Sequence, residues 1–432
     1  MKTKKLFLLP ALIAVLNLVP VGQATAQTLT TLGEFYGPNN SPAFLGNTVY
    51  ASLNELALSG NMFYGTYPGY EYPGASGGVY AKNTDLTGFT NLYSFSEIPT
   101  VGYGPRRNAD GARPFGGVIL SGNTLYGTTS LGGSGGIGTI FKISTNGTGF
   151  TVLLNGGSTA GLVLSGDTFY GTRQYGGSYN NGYIFKVSTN GTGYTTLHNF
   201  TALTSTNYTN SDGIYPAAGL ILSGNTLYGT ASSGGNGGAG TVFAIKTNGT
   251  GFATLYSFTP LPYPGTNSDG GSPQAGLILS GITLYGTACY GGSSGNGTVF
   301  ALNTNGTGFM KLHSFPATSG YDPSTNSGGA NPMGELVFSG KTLYGTTSSG
   351  GSSGYGTVFS ISFQPQLTLV RSGTIATLSW PTNLPGFTLQ SSSNLNSPIL
   401  WSTNHPAPSI VNGQYTVTNS TEGTQRFYRL SQ

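Results

Sequence analysis

One twelve-residue motif recurs six times along this 432-residue chain, and it constrains the fold more than any other feature. It reads Gly-Leu-Ile-Leu-Ser-Gly-Asn-Thr-Leu-Tyr-Gly-Thr at residues 219–230, with close copies from Gly117, Gly161 and Gly276 and weaker ones from Glu55 and Glu335. The tyrosines of the shared Tyr-Gly-Thr are Tyr64, Tyr126, Tyr170, Tyr228, Tyr285 and Tyr344. Their spacing runs from 44 residues (126 to 170) to 62 residues (64 to 126), which is typical of arrays and propellers.

Each unit contains four strand-like pieces, which in the fourth unit are residues 220–222, 226–228, 241–245 and 252–258. Aromatic and β-branched residues bounded by Gly, Asn and Ser clusters are typical of short strands. The first piece is a continuous apolar run, which predicts a strand covered on both faces, whereas the last piece alternates. This change, from a continuous apolar run in the first strand to alternation in the last, predicts a radial arrangement. The first strand is expected near a central axis and the last at the rim.

The third connection of each middle unit is Thr-Asn-Gly-Thr-Gly. Its asparagines are Asn146, Asn190, Asn248 and Asn305. Asn-Gly between two apolar runs is a strong hairpin signal, because both residues tolerate positive φ. Asn-Gly-Thr is also a possible glycosylation acceptor, but its recurrence at one turn position favours the structural interpretation.

The last unit lacks a fourth strand, and the start of the chain supplies a matching piece. The sixth unit stops after residues 356–361, whereas residues 28–35 match fourth strands such as 194–200. Such a swap closes a ring without open sheet edges, whereas a solenoid would need capping repeats. The sequence therefore predicts an all-β fold, a six-bladed β-propeller over residues 27–363 whose last blade is closed by the N-terminal strand. Residues 36–52 are predicted as a long closing loop, with a remnant strand as the alternative.

The repeated segments Leu-Ser-Gly-Asn-Thr-Leu-Tyr-Gly-Thr, Gly-Thr-Val-Phe and Thr-Asn-Gly-Thr-Gly-Phe carry a family resemblance. They resemble those of GloVer tandem-repeat proteins, secreted bacterial chains with varied C-terminal anchor or sorting segments. The resemblance covers all six units, which keep the same internal spacing. It implies export and a surface or extracellular location, and it implies no catalytic residue.

Residues 364–432 lack the repeat and are predicted to form a separate small β-sandwich. Their alternating pieces are residues 375–380, 386–390, 414–418 and 426–430. These pieces loosely resemble a shortened fibronectin type III domain. In such a domain Trp380 and Trp401 are expected to be core residues rather than ligand platforms.

Residues 1–26 are predicted to be a secretory signal, with Lys2, Lys4 and Lys5 before an apolar run and a small-residue cleavage site at residues 24–26. Removing those three lysines from the 16 basic residues leaves 13 against 12 acidic ones, so nucleic acid is not an expected partner. The rest of the chain has no second long apolar run, so no membrane span is predicted. Cys289 is the only cysteine, which excludes an intramolecular disulfide and a Cys-based zinc site. A secreted or cell-surface protein is expected.

A second motif, Asn-x-Asp-Gly, recurs between units at residues 108–111, 210–213 and 267–270. A proline follows each Asp by four residues, at Pro114, Pro216 and Pro273. Oxygen ligands at this spacing suggest calcium, but each loop offers one carboxylate where a tight calcium loop offers several. An Asx-turn that folds the loop back over the next unit explains Asp, Gly and Pro together. The sixth loop, with Ser327-Gly328, lacks the Asp.

Titratable residues give no catalytic or metal pattern. His198 and His313 occupy the fourth-strand position of Tyr93 and Tyr256, so they are predicted to be rim-strand substitutes. The histidines have no metal spacing and form no triad with repeated positions, and no close carboxylate pair is evident. We predict no catalytic residue, no metal and no cofactor.

The arginines of the predicted propeller fall in loops assigned to one face, near loop tyrosines. The predicted ligand-binding residues are Arg106, Arg107, Arg113, Arg173, Tyr103, Tyr175, Tyr179 and Tyr183. Guanidinium groups match carboxylates and sulfates, and tyrosines add flat apolar faces. An acidic polysaccharide or anionic cell-surface polymer is therefore the expected ligand. The alternative is that these arginines are solvated or bond local carbonyls.

Three functional classes follow. The first is a noncatalytic extracellular or cell-surface propeller acting as a recognition or structural scaffold, because six similar units with turn-forming loops describe a scaffold. The second is a carbohydrate-active enzyme, a polysaccharide lyase or hydrolase, which would need an acid/base pair. The third is a purely adhesive matrix component.

Overall fold

The computed structural model describes residues 26–34, 56–69, 76–85, 87–98, 106–158, 160–204, 208–320, 324–364, 367–381, 387–396, 399–403, 406–411, 414–420 and 426–431. Residues 1–25 of the predicted signal, the predicted closing loop and the residues Tyr103 and His405 lie outside this part of the chain. The described residues contain strands and turns and no helix, so no helix there could cross a membrane.

Six sheets of four antiparallel strands account for the repeats, and we number them I to VI by their first strands. The first strands are β2 (Ala57–Ser59), β6 (Ile119–Ser121), β10 (Val163–Ser165), β14 (Ile221–Ser223), β18 (Ile278–Ser280) and β22 (Val337–Ser339). The second strands are β3 (Met62–Tyr67), β7 (Thr124–Thr129), β11 (Thr168–Arg173), β15 (Thr226–Ala231), β19 (Thr283–Ala288) and β23 (Thr342–Thr346). The third strands are β4 (Gly78–Asn83), β8 (Thr139–Ser144), β12 (Tyr183–Ser188), β16 (Thr241–Lys246), β20 (Thr298–Asn303) and β24 (Thr357–Gln364). The fourth strands are β5 (Thr90–Ser94), β9 (Thr151–Asn155), β13 (Thr195–Asn199), β17 (Ala253–Ser257), β21 (Met310–Ser314) and, for sheet VI, β1 (Ala26–Glu34).

The N-terminal strand completes sheet VI, as the sequence predicts. Sheet VI has the order β1-β24-β23-β22, with Leu29 opposite Ile361 and Gly33 opposite Val358. A register shift between Thr31 and Gly33 matches the shift that the fourth strands of sheets I to V make against their third strands. The first strand of the described chain therefore has the bulged geometry of a repeat fourth strand.

The repeated Tyr-Gly-Thr has a packing explanation. A Cβ atom on Gly229 would lie 2.6 Å from Cζ of Phe243, the residue opposite it on the third strand. The glycine therefore makes room for a phenylalanine that is completely buried, and burying such a ring contributes about 1.5–3 kcal/mol. The threonine ties one sheet to the next, since Thr230 Oγ1 donates to the carbonyl of Ala275 at 3.1 Å. Equivalent bonds start from Thr66, Thr128 and Thr172.

Burial falls on the middle of each sheet, which corrects the prediction that the first strands are covered on both faces. The second and third strands are nearly fully buried in sheets IV and V, whereas Ile221 and Leu222 of the first strand are only partly buried. The apolar residue just before the strand is the buried one, as with Leu220. The first strand is at the edge of its sheet and pairs only with the second strand. Of its apolar run, the residue before the strand is therefore the one that packs into the core.

The apolar clusters join consecutive sheets. Tyr64 and Val79 of sheet I share a cluster with Leu125 and Phe141 of sheet II, and similar clusters link II to III, III to IV, IV to V and V to VI. At the outer edge the fourth strand stacks on the next sheet. The ring centres of Tyr256 and Phe309 lie 3.9 Å apart, with an angle of 6° between the ring planes. The clusters thus form a chain of packed sheets.

The Thr-Asn-Gly-Thr-Gly segments form the predicted tight turns. Asn248 Oδ1 accepts hydrogen bonds from both N and Oγ1 of Thr250, at 3.0 and 2.8 Å, and Gly249 has φ +87°. The same bonds recur from Thr148, Thr192 and Thr307. The asparagine and threonine of each motif are therefore used by the turn itself.

The residues after sheet VI form two further sheets. Their strands are β25 (Thr368–Ser372), β26 (Ile375–Pro381), β27 (Thr388–Ser392), β28 (Ser409–Val411), β29 (Gln414–Ser420) and β30 (Phe427–Ser431). One sheet has the order β25-β26-β29-β28, and β27 pairs with β30. Trp380 is buried in their common core with Leu378, as predicted, whereas Trp401 is half-buried with the Arg429 guanidinium 4.2 Å from its ring.

Candidate functional site

The loops between sheets are built around the asparagine of Asn-x-Asp-Gly. Asn108 Oδ1 accepts from the backbone N–H groups of Gly111 and Gly133, at 2.9 and 2.8 Å, while its Nδ2 donates to the carbonyls of Ser96 and Gly111. Asn210, Asn267 and Asn326 make the same bonds. The Asx-turn interpretation of the loop is therefore confirmed.

The aspartate of each motif is buried and accepts bonds from the sheet before it. Asp269 accepts from Tyr256 Oη at 2.7 Å, from Thr259 N at 3.0 Å and also from Thr259 Oγ1. Burial and the bond to Asp269 together raise the pKa of Tyr256 far above its usual range. Asp110 has the equivalent partners Tyr93 and Ser96. These carboxylates are satisfied by protein donors, and the described residues contain no group of three or more His, Cys, Asp or Glu that could hold a metal.

The residue before each loop proline adopts a left-handed backbone and links two sheets. These residues are Arg113, Tyr215, Ser272 and Asn331, with φ between 54° and 59°. Arg113 N donates to Ser76 O, and its own carbonyl accepts from Ser130 N. The proline that follows packs against a glycine of the preceding sheet, as Pro273 does against Gly240. Arg113 therefore has a structural backbone role, whatever its side chain binds.

The connection between sheets II and III is shorter than the others and lacks the Asn-x-Asp-Gly loop. Arg173 and Tyr183 lie directly opposite each other on β11 and β12, where sheet IV has Ala231 and Thr241. The Arg173 guanidinium lies 6.0 Å from the Tyr183 ring centre and donates to Ile137 O of sheet II at 3.3 Å. These long side chains stand where the other junctions have a loop.

Tyr194 completes this cluster. Its hydroxyl donates to the Tyr183 hydroxyl at 2.9 Å, and its ring stacks on Phe185 with centres 5.2 Å apart. Burial, and secondarily the bond to Tyr183, raises the pKa of Tyr194 far above its usual range. Tyr194 was not predicted as a site residue, because in the sequence it only occupies the aromatic position after Thr-Asn-Gly-Thr-Gly that Phe252 and Phe309 hold in other units.

The structure places the predicted site residues in three settings. Arg173 and Tyr183 are strand-end residues in contact, which corrects their prediction as loop residues, because pairing of β11 with β12 extends to them. Tyr175 and Tyr179 are exposed on the connection between the same strands, and the Tyr175 ring lies 5.3 Å from that of Tyr215.

Three of the other predicted residues belong to the loop before sheet II. Arg106 and Arg107 are exposed in the loop before sheet II, and Arg113 is half-buried further along it. Tyr103 lies outside the described residues. The contact between Arg173 and Ile137 O is of the kind that the alternative interpretation expects.

The two fourth-strand histidines differ in their partners. His198 Nε2 lies 2.9 Å from Asp212 Oδ2, whereas the buried Nε2 of His313 has no hydrogen-bond partner. Burial lowers the pKa of His313 to about 4. Cys289 is buried as well, and burial raises the pKa of its thiol to about 11, so it is a neutral thiol at pH 7.

These features define a class: a repeat protein with a β-propeller-like, all-β fold of successive four-stranded sheets joined by Asx-turn loops. Within that class, the chain belongs to the Gloeobacter/Verrucomicrobia repeat family, whose sequence model matches residues 105–259 and 201–377. The resemblance to GloVer repeat proteins is thereby confirmed. No curated protein matches the sequence.

Several solved structures are similar to the chain at low identity. A nidogen/laminin complex has 16% identity and a TM-score of 0.35, covering 66% of this chain and 85% of that one. TolB from Acinetobacter baumannii has 12% identity and a TM-score of 0.38, covering 86% and 66%. The GH74 enzyme of Niastella koreensis has 14% identity and a TM-score of 0.43, covering 80% and 50%.

Proposed function

We propose that this chain is a noncatalytic, exported recognition or structural scaffold, a six-bladed β-propeller followed by a small fibronectin type III-like sandwich. In this proposal residues 1–26 are a signal removed on export. The scaffold binds acidic polysaccharide, or a similar anionic surface polymer, through loops of sheets II and III. It uses no metal, cofactor or nucleic acid.

The architectural part is supported by the strand pairing. Sheets I to VI follow one another with shared apolar clusters from I to VI, and the strand that precedes sheet I in the chain is hydrogen-bonded into sheet VI. A connection from the last sheet back to the first is what closes a propeller. Each sheet is a short meander, so its longer second connection and the loop to the next sheet lie on one side.

The single observation that carries the binding part is the II–III junction. It is the junction where the loop is short and where the Arg173 guanidinium lies 6.0 Å from the ring centre of Tyr183, whose hydroxyl accepts a hydrogen bond from Tyr194. A guanidinium held beside aromatic rings suits a sugar ring with a carboxylate or sulfate, because the rings contact the apolar face and the cation binds the anion. Tyr175 and Tyr179 are exposed nearby in sequence.

The test is saturable binding of the chain without its first 26 residues to polyuronates and sulfated glycans, against neutral polysaccharides of equal length. The double variant Arg107→Ala with Arg173→Ala should weaken binding to acidic chains at least about tenfold, the loss of a charge-assisted contact. Arg371→Ala, an exposed arginine on β25 outside the repeats, is the matched control. Equal binding by the double variant and the parent chain would refute the site.

A measurement of polysaccharide cleavage distinguishes a noncatalytic scaffold from an enzyme. The same polysaccharides are incubated with the chain, and new reducing ends are measured. Binding without release supports the scaffold, whereas release that depends on the chain would favour a polysaccharide lyase or hydrolase. Cell fractionation after deletion of residues 364–432 tests the purely adhesive role, which predicts that surface retention is lost.

A further inference from the structure

Each long loop between sheets carries a tyrosine two to five residues before the asparagine of its Asx-turn. These tyrosines are Tyr103, Tyr208, Tyr263 and Tyr321. Tyr208 and Tyr263 belong to the described part of the chain, and the other two lie outside it. The tyrosines of Tyr-Gly-Thr also recur, but those, such as Tyr228, pack in the clusters between sheets. The recurrence of the loop tyrosine therefore needs a separate explanation.

Packing does not explain the two described loop tyrosines. Tyr208 is 74% exposed and Tyr263 is completely exposed. Within the described residues, neither side chain makes a hydrogen bond or a ring contact. A ring in water contributes no burial energy to the fold, and a single exposed ring would need no explanation. A ring that recurs at one loop position and is exposed at both described copies suggests contact with something outside the chain.

The loops hold these two rings on ordered backbone. At the base of the III–IV loop, Thr204 N donates to the carbonyl of Thr209 at 2.7 Å, and the two hydroxyls lie 3.0 Å apart. In the IV–V loop, Leu261 packs on the apolar cluster of sheets IV and V, and Gly265 N donates to the carbonyl of Pro262 at 2.6 Å. A proline stands on each side of the exposed ring in this loop. Little backbone freedom is therefore left to lose on binding.

The surroundings of both rings are polar and uncharged. Residues 200–220 and 258–277 contain only two charged residues, Asp212 and Asp269. Both are buried and bonded to the preceding sheet. Six of the seven exposed tyrosines in the described residues lie in second connections or loops between sheets, which share one side of the sheets. A charged ligand would find no partner ion around the two rings.

We propose that Tyr208 and Tyr263 bind a neutral polysaccharide. Each ring stacks on the apolar face of one sugar unit, and the hydroxyl and amide groups of the loops bond the sugar hydroxyls. A sugar chain fits better than a protein, because the two rings stand on different loops in polar surroundings, whereas a protein interface has a contiguous apolar core. Two modest contacts on one polymer reinforce each other. This surface goes beyond the proposed binding of acidic chains and does not involve Arg173.

The experiment measures calorimetric binding of the chain without residues 1–26 to soluble β-glucan, galactomannan and dextran. We expect saturable binding to at least one of them. Tyr208→Ala with Tyr263→Ala should weaken it at least about tenfold, since two stacking contacts are lost. The pair Tyr208→Phe with Tyr263→Phe keeps both rings and should bind within about twofold of the parent chain. Phe89→Ala, which removes an exposed ring from a short turn on the other side of the sheets, is the matched control and should bind as the parent does.

Three results would overturn the proposal. The first is no saturable binding to any of the three polymers, and the second is equal binding by the double alanine variant and the parent chain. The third is self-association that depends on the two tyrosines, measured by sedimentation velocity, which would identify the rings as a contact between copies of the chain.

A salt series and the arginine variant separate this site from the one at the II–III junction. Binding of the neutral polymer should be unchanged at high salt and in Arg107→Ala with Arg173→Ala, because no ion pair contributes to it. Binding of acidic chains should weaken under both conditions and should be retained by the double alanine variant of the tyrosines. Failure of either site is therefore seen without affecting the other.

Discussion

The imidazole Nε2 of His198 lies 2.9 Å from Oδ2 of Asp212, and this contact joins the fourth strand of sheet III to the loop that enters sheet IV. Thr201 adds bonds from its N–H and its hydroxyl, the latter at 2.5 Å. Burial acts to raise the pKa of Asp212, but the bonds from His198 and Thr201 outweigh it and hold the pKa below its ordinary 3.8. The carboxylate is therefore a charged structural clamp between sheets.

Replacing this clamp should cost stability in a pH-dependent way. We expect Asp212→Asn to lower the free energy of unfolding by about 1–3 kcal/mol at pH 7, because bonds to a charged acceptor are lost. Since the folded pKa of Asp212 is depressed, its contribution is fully present above pH 3.8 and disappears as the pH falls through the folded value. Urea unfolding of parent and variant at pH 7 and below pH 3 measures the difference, and a difference independent of pH would contradict the assignment.

Two glycines with positive φ should respond unequally to a methyl group. Gly224, in a first hairpin turn, has φ +56° with no atom within 4 Å of an added Cβ, so Gly224→Ala should cost only about 1 kcal/mol in backbone strain. Gly240 has φ +102°, and its Cβ would lie 2.6 Å from both Ala231 O and Pro273 Cδ. Gly240→Ala should therefore cost about 3 kcal/mol or more. Thermal unfolding of both variants tests this, and similar losses would show that the contact of Pro273 with Gly240 is not tight.

The inter-sheet threonines allow a comparison of a bonded and an unbonded buried hydroxyl. Thr230 Oγ1 donates to Ala275 O, whereas Thr287 Oγ1, at the same repeat position, is buried without a partner. Thr230→Val should destabilise the chain by about 1–2 kcal/mol, because it leaves the carbonyl unpaired. Thr287→Val should be neutral or slightly stabilising, since no bond is lost and an unsatisfied group is removed. Chemical denaturation decides, and equal effects would contradict the difference between the two junctions.

His313 should titrate well below an ordinary histidine. With its pKa lowered by burial to about 4, the folded chain takes up this proton only near pH 4, whereas the unfolded chain takes it up near 6.5. The unfolded state is thus favoured progressively as the pH falls from 6.5 to 4. His313→Phe removes this penalty, so relative to the parent chain it should gain at most about 3 kcal/mol between those pH values. Histidine NMR titration and urea unfolding check both statements, and a midpoint above 6 would contradict them.

The repeat pattern was sufficient to predict most of the local structure. The pieces predicted as strands in the fourth unit, the Asn-Gly turns and the pairing of the N-terminal segment with sheet VI agree with the structure, because they depend on alternation and turn chemistry within a few residues. The strand burial was predicted less well. Leu220 is buried and Ile221 only partly so, since coverage depends on the neighbouring sheet rather than on the run itself.

The residues at the candidate site show the same division. Sequence singled out Arg173 and Tyr183 by their type, but it gave no indication that they are cross-strand partners or that Tyr194 closes the cluster. Likewise, His198 and His313 occupy the same position of the repeat, so the sequence did not distinguish them. Their different partners come from position 212 or 328, in a loop 14 or 15 residues further along, which only folding brings into hydrogen-bond range.

By itself, the sequence determined a chain of six similar units, their strands and turns, and an N-terminal strand that matches the unit lacking one. Local backbone preferences and apolar periodicity act over short stretches, so they can be inferred from the residue types of each stretch alone. Only the tertiary structure decided which buried polar groups are paired, as at Asp212, and which are not, as at His313 and Thr287. Pairing depends on donor–acceptor distances that must be right to within a few tenths of an ångström, and those distances between residues of different sheets are set only once the sheets have packed.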